Sequence, residues 1–252
     1  MSDRPTVTVV TVTLDAGQAL EATMTSVLAQ TWPAIDYVVI DGGSKDGSVA
    51  LIEAQADRLG AWVSEPDRGI YDAMNKGIAR ARGDWIIFMN AGDRFASDSI
   101  VEEVMQAASD DTDFLYGDVE VRSRQGPVHV PCRPLETMWQ RIAFSHQSLF
   151  ARTELMKASP FDLTYDVIAD YAFYFSQHCA GRRFHHVPLV VASIAPAGYS
   201  EQKLWRRTVE RWRLARRHRP RMTTDFFYLR LVITHVLPLQ SRRVLKQISS
   251  LA

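Results

Sequence analysis

Three acidic stretches stand where short apolar runs end, and their residue types suit binding a nucleotide and a cation. They are Asp41 in Tyr37-Val38-Val39-Ile40-Asp41-Gly42-Gly43, Asp67 in Glu65-Pro66-Asp67-Arg68-Gly69, and Asn90-Ala91-Gly92-Asp93 after Trp85-Ile86-Ile87-Phe88-Met89. Unbroken apolar runs of this length suit strands covered on both faces. Acids at the carboxyl ends of such strands lie along the edge where open α/β sheets hold ligands. A nucleotide fits that edge, with carboxylates accepting from base or ribose and backbone amides near phosphate. The competing reading is a set of well-made βα loops whose acids cap the next helix. Two phosphate-binding devices are missing. Leu14-Asp15-Ala16-Gly17-Gln18 supplies one glycine where a dinucleotide-binding turn needs three, and no GK[ST] loop occurs. A diphosphate handled without either calls for a divalent cation held by few carboxylates, as Mg²⁺ usually is.

The elements that must position these acids follow from periodicity. Residues 7–14, rich in β-branched side chains, predict a first strand. Leu20, Met24, Val27 and Leu28 give residues 19–30 a helical face, closed by Pro33. The loop 41–47 turns tightly, and Asp46 or Ser48 is placed to cap a helix containing Val49, Ile52 and Ala56. Ala61-Trp62-Val63 is a short third strand. Tyr71, Met74, Ile78 and Ala81 then mark one buried helical face, with Gly83 expected to end that helix. Strand and helix alternating in this way build a doubly wound, mostly parallel sheet flanked by helices. Further on, a helix is expected over 97–108, with strands at 114–116 and 119–121 around Gly117-Asp118. Val128-His129-Val130 is expected to pair with them. Residues 145–150 read as extended, 168–179 as a helix, 187–194 as a last strand and 196–200 as a loop.

A chain of 252 residues with 46% hydrophobic content holds one large domain, or one domain and an appendage. No signal peptide is expected, since Met1 to Pro5 leads straight into a strand-like run. No run approaches the roughly 18 apolar residues of a membrane span. Cys132 and Cys179 lack metal or redox spacing, which suits a reducing cytoplasm. His178, Cys179, His185 and His186 resemble a metal cluster only by nearness, because adjacent residues of a strand point to opposite faces. The zero net charge conceals an asymmetry. Residues 201–252 hold 13 Lys and Arg against 3 Asp and Glu, leaving 16 against 26 in residues 1–200. In that tail Leu204, Trp205, Val209, Trp212 and Leu214 interleave with arginines, and a second apolar and basic segment runs from Phe226 to Ile248, interrupted by Pro238. Basic amphipathic helices suit the interface of an anionic membrane. The alternative is a helical flap packed on the main domain with its arginines solvated. No nucleic-acid recognition module is present, so no nucleic-acid partner is expected.

The stretches VTVVTVTLDAGQALEATMTSVLAQTW, YVVIDGGSKDGS, EPDRGIYDAMNKGIARARGDWIIFMNAGD, SHQSLFAR and ADYAFY, in this order, resemble the family-2 glycosyltransferases. The likeness is closest to bacterial enzymes of exopolysaccharide and O-antigen assembly and covers residues 5–200. It implies a GT-A fold over residues 1–200, while the composition of 201–252 makes that segment a basic, membrane-associating helical extension. It also implies a nucleotide-diphospho-sugar donor, Mn²⁺ or Mg²⁺, and inverting single displacement. The implied acceptor is a lipid-linked glycan on polyprenyl diphosphate, met at the inner face of the cytoplasmic membrane. By position, Thr11 and Asp15 fall where the family contacts the nucleotide, although Asn is commoner than Asp at 15. Asp41 falls where it binds the base and Asp67 where it reads base or ribose. Asn90 to Asp93 occupies the family's D-x-D turn and keeps one carboxylate, Asp93, as donor-side metal ligand. Asp170 matches the catalytic base, His146 and Gln147 face donor or acceptor, and Ser200 lies in a loop that closes on the diphosphate. Without the resemblance, Asp170 reads equally as a helix cap and His146 as a structural residue. Two other classes stay open: a non-catalytic sugar-nucleotide-binding scaffold subunit, favoured by the lost D-x-D carboxylate, and a nucleotidyltransferase, against which the LDAGQAL turn counts.

Overall fold

The computed structural model describes residues 4–196 and 203–236. Its central strand, β1 (Val7–Thr13), is buried at all seven positions. That burial explains why the sequence there shows no alternation. Val10 and Val12 enter one hydrophobic core and Val7 and Val9 a second, on opposite faces of the sheet. β2 (Ile35–Asp41) and β4 (Trp85–Phe88) lie parallel to β1 on either side, and β3 (Ala61–Ser64) extends the sheet beyond β2, also parallel. The register sets Thr13 beside Asp41 and Asp41 beside Ser64, so the carboxyl ends of three strands form one edge.

The crossovers cover both faces. α1 (Gly17–Leu28) puts Leu20, Met24 and Val27 into one core, and α3 (Ile70–Arg80) puts Tyr71, Met74 and Ile78 into the other. A short α2 (Ser48–Glu53) contributes Ile52. Each large apolar side chain taken from water this way contributes about 1.5–3 kcal/mol. Gly83 does not end α3, which stops at Arg80 with Ala81 as its cap. Its role is close approach. A Cβ there would lie 2.6 Å from the Thr6 carbonyl and 2.7 Å from the Thr8 amide, so only glycine lets the chain enter β4 beside β1.

The second half is mixed rather than parallel. β8 (Leu149–Arg152) runs antiparallel to both β4 and β6 (Phe114–Val121), while β9 (Phe184–Ile194) is parallel to β6. β7 (Val128–Val130) pairs with β6 as expected, and β5 (Arg94–Phe95), two residues that no periodicity marks, pairs with β9. Residues 145–150 are not extended throughout. A single 3-10 turn, His146–Ser148, precedes β8. α4 (Ile100–Met105), α5 (Thr153–Ala158) and α6 (Ala169–Cys179) complete this half.

The described part of the extension consists of α7 (Leu204–His218) and α8 (Arg221–Leu231), which pack on each other and on the domain. Leu214, Ala215 and Tyr228 are buried. Trp212 stacks on Tyr228 with ring centroids 6.1 Å apart and donates to Asp225 at 2.6 Å, while the Tyr228 hydroxyl donates to the Trp139 carbonyl at 2.7 Å. Trp212 therefore faces protein, not the outside. Glu210 accepts the amides of Asp166 and Val167 at 3.1 and 3.0 Å, tying α7 to the segment that enters α6. The outward side of α8 and of the turn that continues it is different. Met222, Phe226, Leu229 and Ile233, spaced by four, three and four residues, are 88, 73, 52 and 57% exposed. No described helix is long and apolar enough to cross a membrane.

Candidate active site

Asp170 sits in the first turn of α6, where the helix end favours negative charge. No side chain caps that end, so the cap reading of Asp170 is not what the fold uses. Its Oδ2 lies 2.9 Å from His146 Nδ1, and its Oδ1 accepts from the Tyr71 hydroxyl at 2.8 Å. The Val167 carbonyl, 2.9 Å from the same hydroxyl, competes for its single proton. His146 Nε2 is 3.1 Å from Asn90 Nδ2. An amide nitrogen only donates, which makes Nε2 the acceptor and places the ring proton on Nδ1, directed at Asp170. Burial pushes the Asp170 carboxyl up. The His146 hydrogen bond, followed by that of Tyr71, outweighs that and holds it below the usual carboxylate value.

The chain Asn90–His146–Asp170 leads directly into the turn after β4. Gly92 holds φ at +99°, a conformation that favours glycine. The Asp93 amide donates to the Asn90 carbonyl at 2.9 Å. Thr23 of α1 fixes the turn from below: its hydroxyl donates to the Asp93 carbonyl at 2.6 Å and accepts the Gly92 amide at 2.9 Å. The Asp93 carboxylate, 7% exposed, accepts from Gln147 Nε2 at 2.8 Å and from the Ala195 amide at 3.0 Å. Arg122 donates to the carbonyls of Gly92 and Ser193. Four of the expected site residues beside Asp170 thus meet in one network: Asn90, Asp93, His146 and Gln147. The donor set suits a hard cation. Each Asp93 oxygen retains a further lone pair, and Asn90 Oδ1 is buried without a hydrogen-bond partner among the described residues.

The β1–β3 edge is arranged differently from the expectation. Thr11 lies within β1, not at its end; its hydroxyl is fully buried, donating to the Met89 carbonyl at 2.8 Å with Tyr37 Oη 3.0 Å away. Asp41 has no exposed surface. Its carboxylate accepts the amides of Gly43 and Ser44 and the hydroxyls of Ser64 and Ser44. Burial raises its carboxyl, and these hydrogen bonds more than reverse that, leaving it below the usual value. Asp15, exposed and at φ +48°, accepts the Lys45 amide at 2.7 Å, while its own amide donates to Ser44 at 2.8 Å. Asp67 accepts the Gly69 amide at 2.8 Å and lies against Gly42, where a Cβ would come within 2.5 Å of its Oδ2. These acids shape and stitch the loops that border the edge. Ser200 lies outside the described residues. Elsewhere Asp118, Cys132 and His186 bring ligand atoms within 4.8 Å of one another, and His185, on the other face of β9, takes no part.

A parallel βαβ half ending in an Asn-Ala-Gly-Asp turn, joined to a mixed half that supplies a half-buried carboxylate, is the GT-A arrangement of sugar-nucleotide transferases. Residues 8–187 match the description Glycosyl transferase family 2, and the chain belongs to that family. Among curated relatives, an uncharacterized glycosyltransferase of Mycobacterium tuberculosis is 35% identical over 185 residues, 69% of each chain. A PGL/p-HBAD biosynthesis glycosyltransferase of the same organism is 31% identical over 201 residues, 75% of this chain and 76% of the relative. Among solved structures, Staphylococcus aureus TarS in complex with UDP-GlcNAc superposes with a TM-score of 0.69 at 14% identity, covering 88% of this chain and 70% of that one. Mannosyltransferase PcManGT from Pyrobaculum calidifontis, in complex with GDP-Man and Mn²⁺, gives 0.66 at 18%, covering 100% and 82%. At those identities the structural likeness establishes the fold.

Three site residues escaped the sequence reading. Tyr71 counted only as an apolar position of a helical face, yet its hydroxyl holds Asp170. Arg122 and Glu210 carry no local signal, because their partners lie 30 and 44 residues away along the chain.

Proposed function

We propose that the chain is an inverting glycosyltransferase that moves a sugar from a nucleotide-diphospho-sugar to a hydroxyl of a lipid-linked glycan. The observation carrying this reading is the half-buried Asp170 carboxylate, kept ionised by His146 and Tyr71 and linked through His146 and Asn90 to the 90–93 turn. The donor diphosphate lies against that turn, with its nucleotide along the β1–β3 loops that Asp15, Asp41 and Asp67 organise. Asp93 and Asn90 are the residues that would hold Mn²⁺ or Mg²⁺, an ion that supplies charge neutralisation of the leaving diphosphate when bound. Asp170 accepts the proton of the acceptor hydroxyl as its oxygen bonds to the anomeric carbon and the bond to diphosphate breaks on the opposite face. His146 keeps Asp170 oriented and charged. The nucleotide sugars named in the two solved complexes support this donor class and differ in base, so the base is left open. Release of nucleoside diphosphate on transfer is the expected product; pyrophosphate would mean a nucleotidyltransferase, and no turnover with intact donor binding a scaffold.

Asp93→Asn is expected to abolish Mn²⁺-dependent donor binding in calorimetry while the melting temperature without ligand changes little. Asn90→Ala should cost less. Mn²⁺-dependent binding that survives in the Asp93 variant removes it as the ligand.

The lipid-linked acceptor places the protein peripherally on the inner face of the cytoplasmic membrane, and the exposed stripe on α8 supports that placement. Packing and membrane contact are compatible, because one side of α8 seats on the domain and the other carries Met222, Phe226, Leu229 and Ile233. Full-length protein is expected to sediment with anionic vesicles, less so as salt screens the charges. The double variant Phe226→Ser, Leu229→Ser should stay in the supernatant with an unchanged melting temperature. Equal sedimentation of variant and parent, or equal binding to neutral vesicles, counts against this surface or its electrostatic part.

A further inference from the structure

Between the extension and the mixed half of the sheet lies a cavity of about 860 Å³. Its walls come from β6, β7, residues 131–145, α7, α8 and the turn beyond α8. Five arginines line it, Arg133, Arg141, Arg207, Arg211 and Arg230, and among the described residues no carboxylate does. The remaining wall is largely apolar, including Ile142, Phe144, Phe227 and Leu231. A cavity lined by several guanidinium groups is complementary to an anion, and guanidinium forks match phosphate oxygens in pairs. The apolar wall beside them adds a requirement for hydrocarbon.

Arg211 strengthens this reading. Its guanidinium lies 5.1 Å from the ring centroid of Tyr171, the residue after Asp170. Its Nε and one terminal nitrogen are buried without a hydrogen-bond partner among the described residues. The Tyr171 ring face holds part of that guanidinium, which sets positive charge at the inner wall of the cavity. Two of its lining residues, Ser145 and Ile194, stand next in sequence to His146 and to Ala195, whose amide holds Asp93. None of Asp15, Asp41, Asp67, Asn90 or Asp93 lines it, so the donor edge and this cavity are separate.

We infer that this cavity binds the phosphorylated head of a lipid-linked acceptor, with Arg211 and Arg141 contacting phosphate oxygens and the first isoprenoid carbons against Phe144, Phe227 and Leu231. The inference rests on the proposed transferase reading and gives its acceptor a site. α8 supplies both Phe227, Arg230 and Leu231 to the cavity and the exposed apolar stripe to the outside, so a lipid chain leaving the cavity meets the membrane-facing side of the same helix.

The test is equilibrium binding to the full chain of farnesyl diphosphate, farnesol and inorganic diphosphate, with UDP and GDP as reporters of the donor edge. Farnesyl diphosphate is expected to bind at least about tenfold tighter than either of its halves, and more weakly as salt rises. Arg211→Gln and, on the exposed rim, Arg141→Gln should each weaken it by about tenfold, the size of one lost charge-assisted contact. Nucleotide affinity should not change in either variant. Unaltered farnesyl diphosphate binding in both variants overturns the assignment, as does inorganic diphosphate that binds equally well and competes with nucleotide. Nucleoside diphosphate release from donor without farnesyl diphosphate binding would sink this inference alone. Cavity-dependent farnesyl diphosphate binding without any donor turnover would uphold it and sink the transferase reading.

Discussion

Asp170→Asn is expected to lower the transfer rate by about 10² to 10⁴, the usual size of a general-base contribution. Donor affinity should stay within about twofold, because the 90–93 turn is held by Thr23, Gln147, Ala195 and Arg122 independently of Asp170. The pH profile gives a second readout. Asp170 is depressed below the ordinary carboxylate value, despite burial, by His146 and Tyr71. A base of that kind is lost only as pH falls through its lowered folded value, so its acid limb belongs below the ordinary carboxylate range. The same sign holds for stability: the contribution is present above the unfolded value and disappears as pH falls through the folded one. Tyr71→Phe should shift that limb upward by removing one donor. Near-normal turnover in Asp170→Asn would mean another acid serves. Asp166, with Lys203 at 2.8 Å and Arg206 at 3.3 Å, is then the next to replace.

How much of this was legible depended on the distance over which each contact acts. The parallel half could be read because its strands are buried on both faces and print continuous apolar runs, as in Trp85 to Phe88. Its helices print a period on one face, as in Tyr71, Met74 and Ile78. The turn Asn90 to Asp93 and the helix bearing Asp170 were also legible, as motifs, and the fold brings them together through His146. The chemistry assigned to the strand-end acids was less so. Asp41 is acidic and stands at the expected edge, yet sequence cannot show that Ser44 and Ser64 surround it. The mixed half was read least well. β5 is too short to show a period, and β8 follows a 3-10 turn that has the composition of a strand. The tail's basic, aromatic pattern marked it as amphipathic without revealing that its sides are divided between the domain, through Trp212 and Tyr228, and the exterior, through Phe226 and Leu229.

Glu210→Ala is expected to destabilise the protein by about 3 kcal/mol, since it strands two backbone donors at roughly 1–3 kcal/mol each. Glu210 is 6% exposed and accepts the amides of Asp166 and Val167. For a chain of this size the melting temperature should fall by roughly 6–12 °C. Its contact with Arg206 adds little, because that guanidinium is largely solvated. Glu210→Gln keeps one acceptor oxygen and should recover about half of the loss. The effect should also reach catalysis. Val167 contributes the carbonyl that shares the Tyr71 proton, and it lies three residues before Asp170. Loosening that segment should lower kcat in the soluble variant, with the donor KM unchanged, because no donor-side residue touches Glu210. A melting temperature within about 1 °C of the parent, or a loss in donor affinity equal to the loss in kcat, would show that α7 does not brace the base.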